Sequence, residues 1–175
     1  MSSRPVPFVV LESKCSVVDA GLHVQGRIKD PGFLEGGDFF PAGRDLALLG
    51  IGLRSNYAAA QQLMDNDWLG TTRFAVVRDE FDKDQDRMHL DCVFSILTHD
   101  CCLMCEDMMG AESKTRRLVD LWVRDRRTGK YKMDKEGVEF AAFMKARLFS
   151  ATLFACSLHS RLYLNTRLSW KIGGS

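Results

Sequence analysis

The chain has 175 residues, with 24 basic against 23 acidic side chains and a formal net charge of +1. So even a balance excludes a global field for nucleic acid or membrane surfaces. Hydrophobic and charged fractions of 46% and 27% are those of an ordinary globular chain, and the length fits one domain over residues 1–175 with a real core.

No apolar run reaches membrane-spanning length, and residues 1–11 lack the charged-then-apolar order of a secretory signal. A cytoplasmic protein is the expectation, and its six cysteines then read as thiols rather than a disulfide framework.

In chain order, residues 8–12 form a short apolar run that reads as a strand, and residues 17–27 carry no clear pattern. Asp30-Pro31-Gly32 is a turn that delivers the chain into residues 33–38. Residues 46–53 read as a buried strand interrupted by glycines. Asn56 is a good N-cap for a helix over 57–69, with Ala59, Leu63 and Trp68 on its core face and Gly70 closing it. A strand over 73–77 and a charged loop over 79–87 follow. Residues 88–97, MHLDCVFSIL, read as one strand because Val, Phe and Ile favour β structure. The apolar run from Cys101 is the next strand. A basic hairpin-like stretch over 116–132, with a turn at Thr128-Gly129, precedes a helix over 134–147. No internal sequence repeat is visible.

Cys102 and Cys105 have CxxC spacing. A zinc site there would need two further ligands, of which only His99 is near, and a redox site would need the motif to open a helix. Both cysteines lie in an apolar run, so they read as core residues, and no metal site is expected.

Two clusters carry chemistry. In Met88-His89-Leu90-Asp91 a strand would point His89 and Asp91 to one face and Cys92 to the other. An imidazole beside a carboxylate suits proton transfer around a cation, and a surface His–Asp pair is the plain alternative. In Glu35-Gly36-Gly37-Asp38 two glycines allow a positive φ or a close approach, so the flanking carboxylates can be presented from a tight turn, or can simply face solvent.

EGGDFF, Ala42-Gly43-Arg44-Asp45 and MHLD, in this order and spacing, resemble the guanidine-modifying superfamily of arginine deiminases and amidinotransferases. The likeness is strong over residues 34–97, weak to residue 143, and then stops. It implies an α/β fold, part of a pseudo-fivefold propeller (pentein) of ββαβ modules, of which this chain would hold two to three. It also implies cofactor-free chemistry on arginine or another guanidine compound, and it is compatible with a homo-oligomer. In that scheme a cysteine thiolate attacks the guanidinium carbon and a histidine protonates the leaving nitrogen. Water then gives citrulline, or an amine acceptor gives amidino transfer. His89 matches the acid/base and Glu35 its orienting carboxylate. Asp91 matches the bidentate guanidinium anchor. Gly50-Ile51-Gly52-Leu53-Arg54-Ser55 resembles the deiminase segment whose arginine, here Arg54, holds the substrate carboxylate. Asp38 is a further substrate-side candidate, with support of the Gly-Gly turn as its other role.

The family nucleophile sits in a glycine-rich loop near the C-terminus, and no cysteine here matches it. Cys156, with His159 three residues on, is the weak candidate. The tail over 146–175 resembles nothing in the family and shows no clear period, which suggests a truncated or frame-shifted gene model. The expected function is arginine deiminase-like hydrolysis with the nucleophile missing from this chain. The alternatives are amidino transfer, and a catalytically dead remnant.

Overall fold

The computed structural model describes residues 26–43, 45–98 and 101–147, and the backbone of 152–156. The expected strand over 8–12 lies outside these residues, as does most of the atypical tail.

Strand β1 (Phe39–Pro41) pairs antiparallel with β2 (Leu46–Ile51), and β2 pairs parallel with β3 (Arg73–Arg78) across helix α1 (Tyr57–Asp65). The continuous apolar run LALLGI is what a strand covered on both faces needs. Its side chains alternate between two cores. Leu46 and Leu48, with Ala75 and Val77 of β3, join the cluster around Phe94, Phe140 and Met144. Ala47 and Leu49, with Phe74 and Val76, join Ala60, Leu63 and Met64 of α1.

Helix α1 starts where the sequence places it: the Asn56 side chain accepts from Ala59 N at 3.0 Å. It also accepts from Phe33 N and donates to Pro31 O, which ties the segment entering the acidic turn to the helix. The helix ends at Asp65, short of the expected residue 69, as Asp67 turns to a positive φ of 53° and Trp68 N–H closes back on Leu63 O at 3.0 Å. Trp68 still packs on the α1-side core.

The remaining strands are β4 (Phe94–Thr98), β5 (Cys101–Cys105), β6 (Leu118–Arg124), β7 (Tyr131–Glu139) and β8 (Thr152–Cys156). β6 and β7 extend the first sheet to the order β1-β2-β3-β6-β7, and β4-β5-β8 form a second. In the second sheet β4 is antiparallel to β5 and β5 parallel to β8, the same pairing as β1-β2-β3. Helix α2 (Phe140–Arg147) directly precedes β8, as α1 precedes β3.

Two expected elements are corrected. The helix over 134–147 is strand to Glu139 and helix only from Phe140, since residues 131–139 pair with β6 and Gly137 sits at a positive φ of 66°. The strand over 88–97 begins only at Phe94, because Leu90–Cys92 form a 3-10 turn. The architecture is mixed α/β with two sheets and two helices among the described residues. Among them, no helix is long and apolar enough to cross a membrane.

Candidate functional site

Two 3-10 turns build the site. Gly36–Asp38 leads into β1, and Leu90–Cys92 leads towards β4. Each follows an N-cap residue in extended conformation: Glu35 at φ −113°, ψ 149°, and His89 at φ −116°, ψ 161°. The acid and the base therefore hold corresponding places in two copies of one local structure. Phe40 and Phe94, just beyond the turns, meet edge to face with centroids 5.4 Å apart.

The turns lock together through a buried carboxylate. Asp38 accepts from Leu90 N at 2.9 Å and from the Ser55 hydroxyl at 2.6 Å, and Ser55 Oγ accepts in turn from Glu35 N at 3.0 Å. Glycine is required by close approach rather than by a positive φ. A Cβ on Gly37 would lie 2.8 Å from the Asp91 carboxylate, and one on Gly50 2.6 Å from Asp38 Oδ1. Among the candidate substrate-binding residues, Asp38 is thus the one placed beneath the site, 3% exposed, with both oxygens taken.

The consequence is a convergence of residues some fifty positions apart. His89 Nε2 and Glu35 Oε2 are 2.6 Å apart, a short charge-assisted contact. Arg54 Nε stands 3.5 Å from Glu35 Oε1, so this exposed arginine flanks the same carboxylate. Asp91 is exposed over Gly37, beside the His–Glu pair.

Cys92 is a correction. A strand would aim it away from His89; the 3-10 turn instead brings the ligand atoms of His89, Asp91 and Cys92 within 4.8 Å of one another. Its Sγ is 3.7 Å from Asp91 Oδ1. Cys102 and Cys105 are buried in β5, where burial pushes the Cys102 thiol up to about 11. The backbone of Cys156 pairs with Cys105 in β8, and its side chain lies outside the described set, as does Cys15.

The charged loop over 79–87 was legible as polar, but its construction was not. Asp82 receives Arg87 through two hydrogen bonds of 2.6 and 2.8 Å, and Arg117 bridges Asp82 and Asp79 at 3.1 Å each. Of these groups Asp79, Arg87 and Arg117 line a narrow crevice together with Met88, His89 and Leu90. The only sequence signal was the density of aspartates before an arginine, and Arg117 lies too far along the chain to be paired by inspection.

Burial raises the Asp38 carboxyl above its ordinary 3.8, against the opposing hydrogen bonds from Ser55 and Leu90. Between the ordinary and the raised value the folded protein holds the proton and the unfolded chain has lost it. Stability contributed by Asp38 therefore falls as pH rises through that window. Asp38→Asn mimics the protonated form. Wild-type stability minus that of Asp38→Asn, measured by chemical denaturation, should decline from acid to neutral pH. A flat or rising difference would show that burial does not control this carboxyl.

A family model for arginine deiminase matches residues 19–153, more than three quarters of the sequence. The chain belongs to the arginine deiminase family. Among solved structures it is similar to a mutant of DDAH from Pseudomonas aeruginosa complexed with citrulline. Identity is 21% and the TM-score 0.38; the match covers 75% of this chain and 51% of that one. The chain thus spans about half the length of the structure it matches.

Proposed function

We propose that this arginine deiminase family chain binds arginine, or a close guanidine analogue, between Asp91 and the His89–Glu35 pair, and that it belongs to a hydrolase releasing citrulline and ammonia. The 2.6 Å contact between His89 Nε2 and Glu35 Oε2, formed by two motifs distant in sequence, carries this reading. A guanidinium is planar, cationic and rich in donors, so an exposed carboxylate can hold its edge through paired hydrogen bonds. Glu35 then orients the imidazole and balances its charge as His89 passes a proton to the departing nitrogen, and later takes one from water. In this reading Arg54, which stands 3.5 Å from Glu35, turns to receive the carboxylate of an amino-acid substrate.

The thiol nucleophile is not assigned. Cys92 shares a turn with Asp91, which would grip the guanidinium by its edge, whereas attack on carbon must come from its face. Cys156 remains the weak candidate. We expect residues 1–175 alone to bind guanidines without measurable turnover. The resemblance of residues 50–55 to the deiminase segment supports water rather than an amine as acceptor. The repeated pairing of β1-β2-β3 and β4-β5-β8 supports two ββαβ modules of a propeller, with β6 and β7 inserted into the second.

Calorimetry tests the binding step. Arginine should bind, and Asp91→Ala should weaken it at least about 30-fold, the loss expected when one partner of a hydrogen-bonded charge pair is removed at about 2 kcal/mol. Asp65→Ala, an exposed acid at the end of α1, serves as control. Equal arginine affinity in wild type and Asp91→Ala would remove Asp91 from the site.

A further inference from the structure

We propose that His89, Asp91 and Cys92 form a binding site for a thiophilic divalent cation of the zinc class. The three side chains come from four consecutive residues, and the 3-10 turn gathers their ligand atoms within 4.8 Å of one another. Asp91 and Cys92 are exposed; a tetrahedral zinc would draw the atoms to roughly 3.5 Å apart, given bonds of about 2.0 to 2.3 Å.

The chemistry of the set selects the ion. One thiolate, one imidazole and one carboxylate suit zinc or cobalt, whereas magnesium and calcium prefer oxygen alone. Two negative ligands also neutralise the ion. Binding converts the Cys92 thiol to a thiolate, forms the metal–sulfur bond and releases the proton to buffer.

A second observation supports the site from behind. Glu35 Oε2 lies 2.6 Å from His89 Nε2, so the carboxylate accepts that N–H and leaves Nδ1 as the lone-pair nitrogen. A carboxylate on the far nitrogen of a ligating histidine fixes its tautomer and raises its basicity. Three protein ligands leave a fourth position for water or an added ligand. Metal binding stands on these residues alone. Only one consequence rests on the proposed function: an ion on His89 and Asp91 would exclude a guanidinium.

The test uses the purified protein with zinc titrated against a chromophoric chelator, and cobalt as a spectroscopic probe. One equivalent should bind, with a thiolate-to-cobalt charge-transfer band. Cys92→Ser should abolish the band and weaken zinc at least about 100-fold, more than loss of an outer-shell partner costs. Glu35→Gln should weaken zinc by about 10- to 100-fold and keep the band. Absence of zinc binding by the wild type, or a cobalt band that survives Cys92→Ser, would overturn the site, the latter pointing to other thiols such as Cys102 and Cys105. Unchanged affinity in Glu35→Gln would overturn the tautomer assignment. Zinc should also suppress arginine binding in the wild type and spare it in Cys92→Ser. If arginine binds no form of the protein, the guanidine reading fails while the zinc titration still decides the metal site.

Discussion

His89→Ala should lower guanidine turnover by roughly 10²- to 10⁴-fold, the usual worth of a positioned acid/base, while guanidine binding through Asp91 persists. His89 carries the only imidazole among the described residues of the site, the side-chain type suited to passing protons in both directions. Its partner 2.6 Å away is a carboxylate, which stabilises the charged ring without replacing it. Glu35→Gln keeps the shape of that contact and removes the charge, so it should cost less than His89→Ala. Citrulline and ammonia release from arginine, measured on a turnover-competent form of the protein, checks the order. Turnover that survives His89→Ala would sink the proposed mechanism.

The parts of this site that were legible are those where residue type and position suffice. Asn56 caps a helix because its short side chain accepts from Ala59 N, and a run such as LALLGI has nowhere to go but a doubly covered strand. Only motif resemblance links His89 to Glu35 in the sequence, and strand geometry, which would set His89 beside Asp91, is not what does so in the structure. Alternation along a strand would have paired them; a 3-10 turn does it, closed by Val93 N–H on Leu90 O. Val and Phe in the same run favour β structure and hid the turn. Propensity also misled at 134–139, where pairing with β6 overrides a helix-like composition. There Gly137 takes a positive φ and Asp120 receives its N–H at 2.9 Å. The correspondence of the two turns was invisible because Gly-Gly-Asp and Leu-Asp-Cys share no residue type in register. Their likeness lies in backbone angles and in the hydrogen bond each cap closes, Phe39 N–H to Gly36 O and Val93 N–H to Leu90 O.

Asp82→Ala should be among the most destabilising single changes in the chain. Its carboxylate is 5% exposed and accepts both hydrogen bonds of the Arg87 fork, while Arg117, 4% exposed, reaches it from β6's approach. Removing one partner of a buried pair leaves the other charge uncompensated, at about 3–5 kcal/mol. Asp79 still meets Arg117 at 3.1 Å, so the lower end, about 3 kcal/mol, is expected, equivalent to a fall in Tm of roughly 10 °C. Asp84→Ala removes the contact to Arg87 and the 2.9 Å hydrogen bond that Asp84 accepts from Asp86 N, and should cost about 1 kcal/mol. The hydrogen bonds from Arg87 hold the Asp82 carboxyl below the usual range, so its contribution is present above pH 3.8 and is lost as pH falls through the lowered value. The penalty of Asp82→Ala should therefore shrink in strong acid. Because the loop it anchors ends at Met88, immediately before His89, the proposed acid/base, the variant should also weaken arginine binding without changing any group proposed to contact the ligand. A stability within about 0.5 kcal/mol of wild type, the range of ordinary surface changes, would show that Arg117 and Arg87 find other partners and that the loop does not hold His89 in place.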